Sequence, residues 1–185
     1  MNIANLNNRH RSAPWPGLAL LLAPGLLACV VLCGCNEIGG YTNDSLFPQD
    51  VRSVCLEMFD NQTFRRDVEY ELSDALAKRI ESDTPYKIVS SRERADTVIS
   101  GRIVSITEYV LTTERQLGGA LEKEIQIKAV VSWKNLRTGR FLLEGHPVSA
   151  SATYSEYQNQ DFKYASTAAA NNLALRIVES MEEKW

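Results

Sequence analysis

The first residues in this chain whose types and spacing could do chemistry are Leu32-Cys33-Gly34-Cys35. The Cys35 thiol can carry an alkyl group, the small Gly34 gives a peptidase access to the bond before Cys35, and Leu32 supplies an aliphatic side chain for a pocket. Upstream lie Arg9 and Arg11, then an apolar run from Leu18 to Leu32 interrupted only by Pro24 and Gly25, with no acidic residue before Glu37. That is the charged n-region and apolar h-region of an export signal. The run is too short and too broken for a membrane span, which needs ~20 apolar residues. Leu26-Leu27-Ala28-Cys29 is a poorer copy of the same pattern, because cutting there would leave Val30, Val31 and Leu32 on the mature linker.

Other chemistry is scarce. With a cut before Cys35 and its thiol modified, Cys29 and Cys33 would leave with the signal and Cys55 would stand alone, so no internal disulfide is expected. Cys55 lies in an apolar run and reads as a buried structural thiol. His146 is the only histidine after the signal, too little for a zinc site built on a His/Cys cluster and a poor basis for a Ser-His-Asp triad. Glu57, Asp60 and Asp96 could serve a hydrolase only if the fold fixed a pair across a cleft, and nothing in their spacing does so. No catalytic residue, metal ligand or cofactor is therefore expected. The signal also removes two of the 20 basic residues against 23 acidic ones, leaving a mildly acidic chain that is no general nucleic-acid binder. Within it, Lys123, Lys128, Lys134, Arg137 and Arg140 concentrate along one hairpin.

The elements that must position these groups follow from periodicity. Residues 1–34 are the signal, 35–50 the modified N-terminus and a Gly/Asn/Pro-containing tether, and 51–185 one domain, a length that can bury a core. A strand is expected at 51–59, with Val54, Leu56 and Met58 alternating, and a break at Asp60-Asn61-Gln62-Thr63. A helix follows from about Phe64 to Ser82 with Thr63 as N-cap; Val68, Leu72, Ala75, Leu76 and Ile80 form its apolar stripe. A short strand at 86–89 precedes three long ones. Thr97–Leu111 contains Gly101 as a bulge or close-packing point. Residues 123–134 point Ile125, Ile127, Ala129, Val131 and Trp133 one way and Glu124, Gln126, Lys128, Ser132 and Lys134 the other. Along 140–154 the apolar parity changes between Leu143 and Val148, which requires a bulge or bend near Gly145-His146-Pro147. A final helix at 161–182 carries Phe162, Ala169, Leu173, Ile177 and Met181. The fold class is α+β: two helices packed on one face of a mostly antiparallel four- to five-stranded sheet, in the order β-α-β-β-β-β-α. Phe59, Tyr70, Phe141 and Tyr154 fit core positions better than the wall of a small-ligand pocket.

The Leu32–Cys35 arrangement resembles the bacterial lipobox, which implies a lipid attached at Cys35. Two or three acyl chains hold a protein to a bilayer where one would not, at ~0.8 kcal/mol per buried methylene. Asn36 rather than Asp after the cysteine implies sorting to the outer membrane. Gly40-Tyr41, Leu56-Glu57-Met58-Phe59-Asp60-Asn61-Gln62-Thr63 and Arg94-Ala95-Asp96-Thr97-Val98-Ile99-Ser100-Gly101, in that order, resemble the LptE family over about residues 35–182. That resemblance implies a non-enzymatic, lipid-anchored lipoprotein of the outer membrane, facing the periplasm. It would plug the LptD β-barrel, assist its assembly and contact lipopolysaccharide on its way to the surface. The five cations, with the hairpin tips Thr112–Leu121 and Asn135–Gly139, are then candidates for contact with the barrel or with lipid A phosphates. The strand ending near Asn-x-Thr and the Ala-Asp strand start are also similar to TolB-amino-terminal and LpoB-like envelope lipoproteins, which regulate a peptidoglycan synthase or serve secretion. The lack of a long spacer after Cys35 counts against a protein that must reach across the periplasm.

Overall fold

The computed structural model describes residues 46–113 and 120–182. The lipobox, the tether up to residue 45 and the 114–119 stretch of the first hairpin tip lie outside those residues. The elements are β1 (Ser53–Leu56), β2 (Asp60–Asn61), α1 (Val68–Asp83), β3 (Lys87–Ile88), β4 (Thr97–Thr113), β5 (Ala120–Asn135), β6 (Phe141–Tyr154) and α2 (Phe162–Glu179). They form one mixed sheet in the order β3-β1-β4-β5-β6, with β2 also paired to β4. Strands β4, β5 and β6 are an antiparallel meander. Strand β1 runs parallel to both β3 and β4, and β2 runs parallel to β4. The sheet is thus mostly antiparallel by length, as expected, with a parallel portion that local pattern did not signal.

Both helices lie over one face. Val68, Leu72, Ala75, Leu76 and Ile80 of α1 are all buried, and Ala169, Leu173, Ile177 and Met181 join them in one core with Ile125, Ile127, Ala129, Val131 and Trp133 of β5. Each fully buried Leu or Ile contributes about 1.5–3 kcal/mol over leaving it exposed. Phe59 and Tyr154 are core residues, whereas Tyr70 and Phe141 are exposed. Among the described residues no layer covers the outward sides of their elements.

Two expectations about the first strand and helix are corrected. The strand stops at Leu56 and resumes as β2 because Phe59 turns its ring into the core over Gly101. A Cβ at Gly101 would lie 2.5 Å from Phe59 Cε1 and 2.8 Å from the Val130 carbonyl oxygen. The helix starts at Val68, not Phe64, because side chains capture the backbone first, a competition typical of Asn and Thr. Asn61 Oδ1 accepts hydrogen bonds from the Thr63 amide (3.0 Å) and hydroxyl (2.8 Å), while Asn61 Nδ2 donates to the Arg65 carbonyl (2.7 Å) and Glu69 (2.6 Å). Thr63 therefore does not cap the helix, and Asp67 occupies the N-cap with φ +75° and no capping bond.

The parity change in β6 is resolved as expected. Opposite β5 the pairing jumps from Val131↔His146 to Trp133↔Leu143, a bulge of Glu144 and Gly145 against Ser132 in which Gly145 takes φ +56°. Leu143 on one side of it and Val148, Ala150 and Ala152 on the other all reach the same core.

Candidate partner and ligand surface

Among the described residues, the sheet face opposite the helices is covered only at one corner, where Cys55, Ala95 and Val98 are buried with Val89 and Leu136 packed on them. Elsewhere it is open. Because side chains alternate and the register is known, its rungs can be read across β4, β5 and β6: Thr107–Gln126–Ser151, Ser105–Lys128–Ser149, Arg102–Val130–Pro147, and Val98–Lys134–Phe141. Val104 is the extra residue of a β4 bulge between Ile103 and Ser105. It borders a shallow depression lined also by Lys128, Val130, Pro147 and Ser149. A second depression, with Asp60, Gln62, Ser100, Arg102 and Ser132, shares Val130 with it. The joined strip has a cation on each side of Val130, hydroxyls along it and small aliphatic side chains in its floor.

Among the described residues neither Arg102 nor Lys128 makes an ion pair, so their charges face solvent without a carboxylate partner. Lys134 lies about 20 Å from Lys128 along β5 at ~3.3 Å per residue, with Nζ 5.1 Å from the centroid of the Phe141 ring.

The five cations named from sequence do not form one site. Lys128 and Lys134 are on the open face. Lys123 has the parity of Ile125 and lies on the helix side, where it pairs with Glu156 at 2.6 Å and Glu108 at 3.6 Å. The Glu156 hydrogen bond holds its pKa above the usual lysine value despite partial burial. Glu108 also accepts from the Tyr154 hydroxyl at 3.1 Å and lies 3.8 Å from Arg65, whose guanidinium stacks over Phe162 at 4.2 Å. Burial, then this bond to Glu108, raises the Tyr154 pKa. Lys123 is thus engaged in a structural network.

Arg137 belongs to the β5–β6 turn. It pairs with Asp96 at 3.2 Å and donates to the Asp50 carbonyl at 2.8 Å. Asp96 Oδ2 accepts from the Arg52 and Ser53 amides at 3.0 and 3.1 Å. Partial burial opposes the Asp96 charge, but the Arg52 amide, Ser53 and the Arg137 guanidinium outweigh it and hold its pKa below the ordinary carboxylate value. The turn itself is built on buried Asn135, whose side-chain oxygen accepts from the Arg137 and Thr138 amides. Arg140 is exposed beside it. The two ends of β5, Ala120 and Asn135, are roughly 50 Å apart at ~3.3 Å per residue.

The sequence reading missed Arg102. Its signal was available, since Arg102 has the parity of Ser100 in a strand whose Thr97, Ile99 and Ile103 are buried. Of the acids, Glu57 pairs with Arg92 at 2.6 Å and Asp96 is the strand tie just described. Among the described residues no helix is long and apolar enough to cross a membrane.

Solved structures with TM-scores of 0.50 share this fold, and others resemble it more loosely. An uncharacterized lipoprotein B from Nitrosomonas europaea superposes with a TM-score of 0.50 at 12% identity, covering 76% of this chain and 88% of its own. A hypothetical protein from Chlamydia trachomatis gives 0.50 at 12% identity over 70% and 94%. The rare lipoprotein B from Shewanella oneidensis gives 0.43 at 16% identity over 70% and 93%. No curated protein matches the sequence. The family model for LptE, lipopolysaccharide-assembly, matches residues 51–184, which spans every element from β1 to α2. By that match the chain belongs to the LptE lipopolysaccharide-assembly family.

Proposed function

We propose that the mature chain begins at Cys35, is anchored through it on the periplasmic side of the outer membrane, and acts without catalysis as the lipoprotein partner of an LptD-like β-barrel. In this reading residues 51–185 fill the barrel lumen, assist its assembly and touch lipopolysaccharide during delivery. The observation that carries it is the uncovered strip holding Arg102 and Lys128 without carboxylate partners, in a chain of a lipopolysaccharide-assembly family. A phosphorylated amphiphile suits that strip: charge-assisted bonds from the cations, hydroxyls beside them, and aliphatic contacts at Val104, Val130 and Pro147.

The test is purification of the full-length lipidated protein from outer membranes in mild detergent, with mass spectrometry of what accompanies it. A large β-barrel in about one-to-one amount is expected. Recovery of a peptidoglycan synthase instead, or of no barrel, overturns the reading.

A further inference from the structure

We infer that the free edge of β6 is a docking site for an extended segment of a partner polypeptide, which adds to the sheet as a further strand. This rests on the reading above only in supposing that the chain works in a complex with another protein.

The direction of each backbone group on β6 follows from two hydrogen bonds. The Asn135 amide donates to the Arg140 carbonyl at 2.8 Å, so odd-numbered residues of β5 turn their amides and carbonyls toward β6. Their partners on β6 are His146, Val148, Ala150, Ala152 and Tyr154. Pro147, Ser149, Ser151 and Thr153 therefore direct their backbone groups away from the sheet. The Asn172 side chain confirms this independently by donating to the Ser151 carbonyl from outside at 2.9 Å. Proline at 147 agrees as well, since an outward position has no ladder bond to lose.

Strand β6 is last in the sheet order, and among the described residues nothing accepts from the amides of Ser149, Ser151 and Thr153. Three donors at every second residue, with the Pro147, Ser149 and Thr153 carbonyls interleaved, match the backbone of one extended strand. Natural proteins usually blunt such an edge with charge or keep it very short. Here the opposite edge, β3, is two residues long. The β6 edge is long, and no Lys, Arg, Asp or Glu occurs from Gly145 to Ser155. Among the described residues the Gly145 bulge, Pro147 and the Asn172 side chain interrupt it, and Leu175, Arg176 and Glu179 of α2 stand beside Ser151. The outward-edge residues Ser149, Ser151 and Thr153 are small, so an incoming backbone can approach. Asn172 occupies one acceptor and must release it when a strand docks.

The experiment is hydrogen exchange on the full-length lipidated protein, once in the complex purified from outer membranes and once after its partners are stripped away. In the stripped protein the Ser149, Ser151 and Thr153 amides exchange fast, whereas those of Val148, Ala150 and Ala152, paired to β5, stay protected. In the complex the three outward amides slow by at least about tenfold. Ser149→Pro, which removes one outward donor and no β5 bond, lowers retention of the partner while leaving the urea midpoint of the isolated protein unchanged, and Asn172→Ala raises retention. A β-barrel recovered with the three amides still exchanging fast overturns the edge assignment and leaves the barrel reading standing. Protection by another protein supports the edge, and overturns the barrel reading, only where cross-linking places an extended segment of that identified protein against Ser149–Thr153; protection without such a segment overturns the edge assignment. Protection of the isolated chain that grows with its concentration overturns the assignment, because copies would then be pairing with each other.

Discussion

Gly101→Ala is the substitution on which the packing argument can be tested most sharply. The new methyl would stand 2.5 Å from Phe59 Cε1 and 2.9 Å from Cδ1, where ordinary contact begins near 3.4 Å, and 2.8 Å from the Val130 carbonyl oxygen. Phe59 is 2% exposed, with the core on its far side, so the ring has no free volume to retreat into. The carbonyl belongs to the β4–β5 ladder and moves only if the strands part. Overpacking of this kind costs about 1–3 kcal/mol, and a backbone contact places it toward the upper end. Against that, alanine reduces the freedom of the unfolded chain by ~0.4–1 kcal/mol. The net expectation is destabilisation by about 2 kcal/mol, read from urea unfolding of the purified protein, with m unchanged. Phe59→Leu relieves the ring clash but leaves the carbonyl contact, so the double variant should cost at least ~1 kcal/mol less than the two single costs added together. A Gly101→Ala protein within ~0.5 kcal/mol of the parent, or a strictly additive double variant, would refute the reasoning.

Three further outcomes are expected. Asp96→Ala orphans the Arg52 and Ser53 amides and the Arg137 charge, costing about 2–3 kcal/mol at pH 7. Because the folded carboxylate has a depressed pKa, the stability it provides is present above its unfolded value and lost as pH falls through the folded one. The gap between variant and parent, followed by urea unfolding at pH 7 and below 4, should therefore narrow in acid. Arg102→Glu with Lys128→Glu should leave stability within ~0.5 kcal/mol, since neither cation is paired, yet reduce glycolipid retained on purification about tenfold; Lys123→Glu should instead destabilise the fold, which calorimetry would register. Gly145→Ala meets no atom within 4 Å but must adopt φ +56°, so it should cost only the conformational ~1–2 kcal/mol, measured by thermal unfolding.

Period alone made the helix stripes and the β5 alternation legible, because a residue's facing is a local property. The β6 bulge was legible too: Leu143 and Val148 cannot share a core across an unbroken strand, and glycine supplies the positive φ. Which strands become neighbours is not local. Strand β1 carries the same apolar residues whether its neighbours run parallel or antiparallel, so its insertion between β3 and β4 could not be read from it. The helix start was misplaced because Thr63 has the chemistry of an N-cap, and only the three-dimensional reach of Asn61 takes it out of that role. The candidate surface was half legible. Lys128 and Lys134 were placed on the wet face, but grouping Lys123 with them followed the hairpin rather than the parity, and parity was the better guide. Tyr70 and Phe141 were read as core from residue type where position decides.

The parallel placement of β1 has a mechanical side. Strands β1 and β4 start at the same end of the sheet, held together there by Asp96. Tension that enters at the N-terminal side of β1 and is resisted at the far end of the β4–β5 ribbon pulls the two strands along their lengths in opposite senses. The Val54–Thr97, Cys55–Val98 and Leu56–Ile99 rungs then bear the load together as shear. Had β1 run the other way, the same pull would peel the rungs apart one at a time, and a strand of four residues would hold far less force.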